Sequence, residues 1–154
     1  MKKLLLSLMA LGALAAAPAC SDKEDDGNET KNTVTITETD SQIQLKHVIS
    51  GLGLTITSNY TWNFNEDGLC VSANTVYTYP SGTMAKRVYE EMVEDVDIPA
   101  EEKALYSISG KVINYDMTDI YAGFSKKKVR ELAEDLKKLL EGGDDVVLVD
   151  GEAA

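Results

Sequence analysis

The feature that most constrains this fold is a regular alternation of apolar and polar residues between Thr33 and Tyr79. Successive side chains of a strand point to opposite faces, so this pattern predicts half-buried β-strands. Turn-type residues interrupt the pattern at Asp40-Ser41, at Ser50-Gly51 and at 65–68. The alternation stays in step across all three interruptions, which predicts a four-stranded antiparallel meander with one apolar face.

The turn lengths also predict which residues pair. A two-residue turn at Asp40-Ser41 places Ile36 opposite Leu45. A two-residue turn at Ser50-Gly51 places Leu45 opposite Ile56.

The loop at 65–68, the third interruption, determines which residues of the fourth strand are predicted on the apolar face. Because the loop at 65–68 has an even number of residues, Leu69 and Val71 are expected on the same face as Trp62. By the same parity, Cys70 is expected on the opposite face.

Helical spacing replaces the alternation after Pro80. One apolar stripe predicts a first helix, and its members are Met84, Ala85, Val88, Tyr89 and Met92. The segment 97–99 breaks that pattern and predicts a short turn through Lys103. A hairpin across Ser109-Gly110 is predicted next, with Tyr106 and Ile108 facing Ile113, Tyr115 and Met117.

The last helix has the clearest signals at both ends. Ser125 is a predicted N-cap and Gly142-Gly143 a predicted stop. Its apolar stripe is Val129, Leu132, Ala133, Leu136, Leu139 and Leu140. The chain is therefore predicted to form a single α+β domain over 33–143, an antiparallel sheet (four-stranded meander plus a hairpin) with two helices packed on one face. Residues 144–154 form either a frayed tail or a late edge strand.

The N-terminus has the layout of a secretory signal. Lys2 and Lys3 precede an apolar stretch over 4–16, and small residues stand before Cys20. Residues 1–19 are therefore a predicted signal peptide. The segment Ala17-Pro18-Ala19-Cys20 resembles the lipobox of bacterial lipoproteins, which implies cleavage before Cys20 and acylation of its thiol. Ordinary signal cleavage after Ala19 is the alternative.

The polar segment over 20–32 is predicted to act as a flexible tether, since it contains no apolar residue after Cys20. Its acidic start resembles the surface-export segment of Bacteroidetes lipoproteins. The order of tether, strands, helix, strands and helix is faintly similar to that of small YehR-like lipoproteins of unknown function. These resemblances imply an outer-membrane lipoprotein that is exposed at the surface, or otherwise faces the periplasm.

Charge limits the partners. The chain has 15 basic and 26 acidic residues and a formal net charge of −11. Removal of residues 1–19 takes away Lys2 and Lys3 and no acid, which leaves −13. Nucleic acid is therefore excluded as a partner, and membrane contact is expected through acyl groups on Cys20. One histidine and the absence of any zinc, calcium or phosphate-loop pattern predict no metal and no cofactor.

Two groups of residues are candidate binding sites. Lys126, Lys127, Lys128 and Arg130 lie at the start of the last helix, where cations oppose the helix dipole. Such a cluster suits an anionic glycan or an acidic protein surface, although a solvated patch would look the same. Trp62 and Tyr79 could line a ligand pocket between sheet and helices, or belong to the core.

A nucleophile paired with a base is not predicted, because strand parity separates Cys70 from His47. The sequence therefore predicts a non-enzymatic binding module that contacts an envelope protein or glycan. The alternative is a carrier or sensor that holds a small apolar or glycan ligand between the sheet and its helices.

Overall fold

The computed structural model of this protein describes residues 30–94 and 97–142. They form an α+β domain, which confirms the predicted fold class. The strands are β1 (Lys31–Glu38), β2 (Gln42–Gly51), β3 (Leu54–Phe64), β4 (Cys70–Thr78), β5 (Tyr106–Ser109) and β6 (Val112–Asp116). The helices are α1 (Gly82–Glu94), α2 (Ala100–Lys103), α3 (Thr118–Tyr121) and α4 (Lys126–Gly142). The predicted signal peptide, most of the tether and the tail over 144–154 lie outside the described residues.

All six strands form one antiparallel sheet in the order β1-β2-β3-β4-β6-β5. The predicted hairpin thus joins the meander, because β6 pairs with β4. Its turn is at Gly110-Lys111, one residue later than predicted, and Tyr106 faces Tyr115. The first strand begins at Lys31, so the last two residues of the predicted tether belong to the sheet.

The first turn has the predicted register. Ile36 faces Leu45, and the backbone N–H of Thr39 donates to the carbonyl of Gln42 over 2.9 Å. This short turn leaves Val34 and Leu45 on the buried face, as the alternation requires.

The predicted register of the second turn is wrong. The turn residues are Leu52 and Gly53, and Leu45 faces Tyr60 instead of Ile56. Both turn residues have positive φ, 54° and 75°, as a type I′ turn requires. Gly53 adopts such a conformation without steric cost, so the turn forms around it. The shift is even, so Ile56 stays on the buried face.

The prediction for the start of the fourth strand is also wrong, because a β-bulge shifts the register. Asn63 faces Ser72 while Phe64 faces Cys70, so Val71 is the extra residue. The bulge reverses the parity at the start of β4. Cys70 is buried with Trp62, whereas Leu69 and Val71 are exposed.

The helices cover one face of the sheet. The long helix α4 packs on β1 and β2, α1 packs on β5 and β6, and α3 lies against β4. Trp62, Phe64 and Leu136 belong to one core, as the architecture requires. The stripe of α4 is buried at Val129, Ala133, Leu136 and Leu140, whereas Leu139 is exposed.

Candidate binding surface

Half of the cationic cluster holds α4 against the first hairpin. The ammonium of Lys126 donates to the carbonyls of Thr39 and Asp40 over 2.7 and 3.2 Å, and lies 3.2 Å from the Glu38 carboxylate. Arg130 donates to both oxygens of the same carboxylate. A bidentate guanidinium pair is among the stronger ion pairs that proteins form. These contacts explain why cations stand at this helix N-terminus.

The remaining members of the cluster, Lys127 and Lys128, are exposed and make no ion pair within the described residues. The hydrogen bonds from Arg130, and next those from Lys126, lower the pKa of Glu38. Ser125 caps the helix as predicted, since its Oγ accepts from the N–H of Lys128 over 3.2 Å. The cluster is therefore mainly a structural contact, with two free cations beside it.

Trp62 and Tyr79, the other predicted site residues, lie in the core. They are 1% and 2% exposed. The indole of Trp62 stacks against Tyr60 with ring centroids 6.2 Å apart and meets Tyr121 edge-on at 5.7 Å. Burial raises the pKa of Tyr79 to about 12. Neither ring is accessible for stacking on a sugar, so these residues do not form a surface site.

The core contains polar atoms without hydrogen-bond partners among the described residues. They are the Trp62 indole nitrogen, one Glu102 carboxylate oxygen, His47 Nδ1, Ser58 Oγ, and the hydroxyls of Tyr60 and Tyr106. Burial is the largest cause that raises the pKa of Tyr106; the neighbouring Tyr115 comes next, and Glu102 adds to the same shift. Buried polar groups without a protein partner commonly hold water or ligand.

Cys70 and His47 lie on the same face, which corrects the parity argument. They occupy opposite ends of the sheet, since His47 faces Ser58 and Cys70 faces Phe64. Those partners are six positions apart along β3, a distance of about 20 Å. Burial raises the pKa of the Cys70 thiol and lowers that of His47. The two side chains therefore cannot act as a nucleophile and its base.

The opposite face of the sheet has no helix on it within the described residues. Its centre is formed by the outward side chains of β3 and β4, which we call the open face. These residues are half-buried and uncharged: Thr57, Asn59, Thr61, Asn63, Ser72, Asn74, Val76 and Thr78. With β2 and β6 on either side, the four strands span about 14 Å.

Hydrogen bonds between side chains order part of this surface. Asn63 accepts from Gln42 over 2.8 Å and donates to Ser72 over 2.9 Å. Asn74 donates to Asn114 of the neighbouring strand over 3.3 Å. Such cross-strand bonds fix the amide groups and present a preorganised pattern of donors and acceptors.

Sequence reasoning missed the open face because it followed only the apolar half of the alternation. The signal was present in the polar half. The outward positions of β3 and β4 carry threonine, asparagine, serine and valine and no charged residue, in a chain of which 27% is charged. The nearest outward charges are Lys46 on β2 and Asp116 on β6.

Other kinds of site are not found in the described part of the chain. Residues 30–94 and 97–142 contain no group of three or more metal-ligating side chains. No helix in the same ranges is both long and apolar enough to cross a membrane. Comparison with known proteins gives no match to a family model, a curated protein or a solved structure.

Proposed function

We propose that this chain is a bacterial envelope lipoprotein, anchored by acyl groups on Cys20, whose domain binds a neutral glycan across the open face. The anchor is supported by the signal layout and by the lipobox-like residues that end at Cys20. We propose an outer-membrane location, with the domain at the cell surface or on the periplasmic side, and no catalytic activity.

The observation that carries the proposed ligand is the neutrality of the open face. A chain with a net charge of −11 has no charged outward residue on β3 or β4. Hydroxyl and amide groups both donate and accept, as the hydroxyls of a saccharide do. The outward residues of β3 and β4 have no charge to desolvate, although Lys46 and Asp116 pair with Asn59 and Asn74 on the neighbouring strands. Within the described residues, the cationic cluster on α4 offers only Lys127 and Lys128 without an ion pair.

The anchor is tested first, by intact-mass measurement of the chain purified from its envelope. We expect a mature chain that begins at Cys20 and carries acyl groups, and we expect the Cys20→Ala variant to lose them. A mature chain with an unmodified Cys20 would refute the anchor while leaving the proposed ligand open.

The ligand is tested by affinity electrophoresis through gels that contain dextran, laminarin or yeast mannan. We expect at least one of these neutral glycans to retard the chain, and the double variant Asn59→Ala/Thr61→Ala to run freely. The matched control is Lys127→Ala/Lys128→Ala, which should be retarded like the parent. Retardation only by an anionic glycan such as heparin, and its loss in the lysine variant, would contradict the proposal.

A carrier of a small ligand is the second candidate, and the unpartnered polar atoms of the core favour it. The indole nitrogen of Trp62 and the hydroxyl of Tyr106 would bind the ligand. Native mass spectrometry of the purified chain should then show a bound small molecule that the Tyr106→Phe variant lacks. A parent chain whose mass shows no bound molecule would rule out the carrier.

A further inference from the structure

The turn between β2 and β3 presents two exposed leucines at the tip of a hairpin. Leu52 is 54% exposed and Leu54 is 39% exposed. The first of them also has a φ of 54°, a left-handed conformation that favours Gly, Asn or Asp over leucine. An exposed leucine at a position that disfavours it stabilises neither the turn nor the core. Such a residue points to a role outside folding.

The described chain starts beside this turn. Lys31 pairs with Ser50, and a Cβ atom at Gly51 would lie 3.1 Å from the hydroxyl oxygen of Thr30. Cys20 and Thr30 are ten positions apart in sequence, and a fully extended segment of that length reaches at most about 35 Å. The hairpin tip is therefore at the end of the domain where the described chain begins.

The far end of the sheet carries formal charges as well as exposed apolar side chains, which include Leu69, Val71 and Phe124. The turn at Asp40-Ser41 lies about 30 Å away along β2, beside the acidic Glu66 and Asp67 of the next turn. In contrast, the nineteen residues from His47 to Asn65 contain no Asp, Glu, Lys or Arg. The hairpin itself thus has no formal charge to desolvate, although Lys31 pairs with Ser50 beside it.

We propose that Leu52 and Leu54 insert into the bilayer surface and so dock the anchored domain with its β2–β3 tip toward the membrane. This inference rests on the proposed anchor at Cys20. Exposed apolar side chains at an interface gain free energy on leaving water, and the tether keeps them near the lipid. With the tip docked, the strands stand away from the membrane and the open face remains free along its length.

The test places a tryptophan at the tip and another at the far end. Leu54→Trp is the reporter and Val71→Trp is its matched control, since Val71 is 51% exposed at the start of β4. The mature chain is coupled through Cys20 to maleimide-bearing lipid in phosphatidylcholine vesicles, while Cys70 stays buried. The signal of the parent chain, which comes from the buried Trp62, is subtracted.

We expect lipids brominated in the acyl chain to quench the Leu54→Trp signal at least twofold and to leave the Val71→Trp signal unchanged. Adding Leu52→Asn to the Leu54→Trp reporter should roughly halve the quenching. An unfolding midpoint no lower than that of the reporter alone would show that the turn still folds. Equal quenching at both ends, or none at either, would overturn the proposal. If the tip tryptophan becomes more shielded from solvent as the protein concentration rises in the absence of lipid, the tip mediates self-association. That result would also overturn the proposal.

Chemical coupling makes the two proposals fail separately. The vesicle measurement does not depend on acylation in the cell, whereas the mass of the envelope-derived chain depends only on it. Unquenched reporters on vesicles refute the docked tip, and an unmodified Cys20 in the envelope refutes the anchor.

Discussion

The two faces of this sheet are built from the same strands yet differ in almost every property. On the covered face, Trp62, Tyr60 and Tyr77 are at most 1% exposed and pack against one another and the helices. On the open face, Thr61 and its neighbours are half-buried hydroxyls and amides without a formal charge. Adjacent residues of one strand therefore belong to different environments.

This contrast separates what holds the domain together from what is available to a partner. Burial of large apolar and aromatic side chains supplies most of the stability of a domain this size. A polar face contributes little to folding, so its composition is free to serve binding. The absence of charge on β3 and β4 is therefore more informative about function than the aromatic core is.

The largest expected effect compares neighbouring residues on the two faces. Trp62→Ala should lower the free energy of unfolding by about 3–5 kcal/mol, because it leaves a large cavity in the core. Thr61→Ala, one residue away, should change it by no more than about 0.5 kcal/mol. Urea denaturation of both variants measures the difference, and equal losses would show that the open face is not open in solution.

Protonation of His47, which is buried on the covered face, should give the next largest effect on stability. Burial lowers the pKa of His47, whose Nε2 is 2.7 Å from the Asn32 side-chain oxygen. The unfolded chain therefore binds a proton below about pH 6.5 that the folded chain resists. The free energy of unfolding should decrease as the pH is lowered below that value, by up to about 1.4 kcal/mol per pH unit. Urea titrations at several pH values would measure this decrease.

Since His47 is the one histidine of the chain, its variant is a direct control. His47→Gln should remove the slope between about pH 6.5 and 5. A slope that survives this substitution would assign the effect to other groups.

A smaller loss is expected where α4 is held to the first hairpin. Glu38→Gln removes the ion pairs with Lys126 and Arg130 and should cost about 1 kcal/mol, since this network is only partly exposed. Glu90→Gln is the control, because its pair with Lys86 is exposed on α1 and is worth about 0.3–0.5 kcal/mol. A larger loss of stability in Glu90→Gln than in Glu38→Gln, measured by thermal or urea unfolding, would contradict this account of the cluster.

The smallest effect is a gain. Leu52→Asn should raise the free energy of unfolding by about 0.5–1 kcal/mol, because asparagine adopts positive φ more readily than leucine in a type I′ turn. A loss of stability in urea denaturation would mean that Leu52 supports the fold, and the case for its role outside folding would weaken.

The sequence predicted what local patterns encode and missed what depends on a single residue's position. The alternation and the helical stripes are repeated signals, so the fold class, the helices and the first register are confirmed. The second turn lies two residues later than predicted because Gly53, rather than Gly51, takes the second turn position. The bulge at Val71 has no repeated signal, and it alone reversed the assignment of Cys70.

The candidate site was harder to predict for a different reason. The shared partner of Lys126 and Arg130 was not predicted because Glu38 is far away in sequence, and only the folded sheet brings them together. The open face could have been found from sequence, by reading the polar positions of the same alternation from Thr57 to Asn63. Those positions become one surface only once the strands pair.

The most direct test of the account is a two-dimensional ¹H–¹⁵N NMR titration of the chain with the neutral glycan that retards it most. We expect the side-chain amide signals of Asn59, Asn63 and Asn74 to shift together, while the indole N–H signal of Trp62 stays in place. A shift of the Trp62 signal without those of the asparagines would place the ligand inside the core. That result would contradict the assignment of binding to the open face.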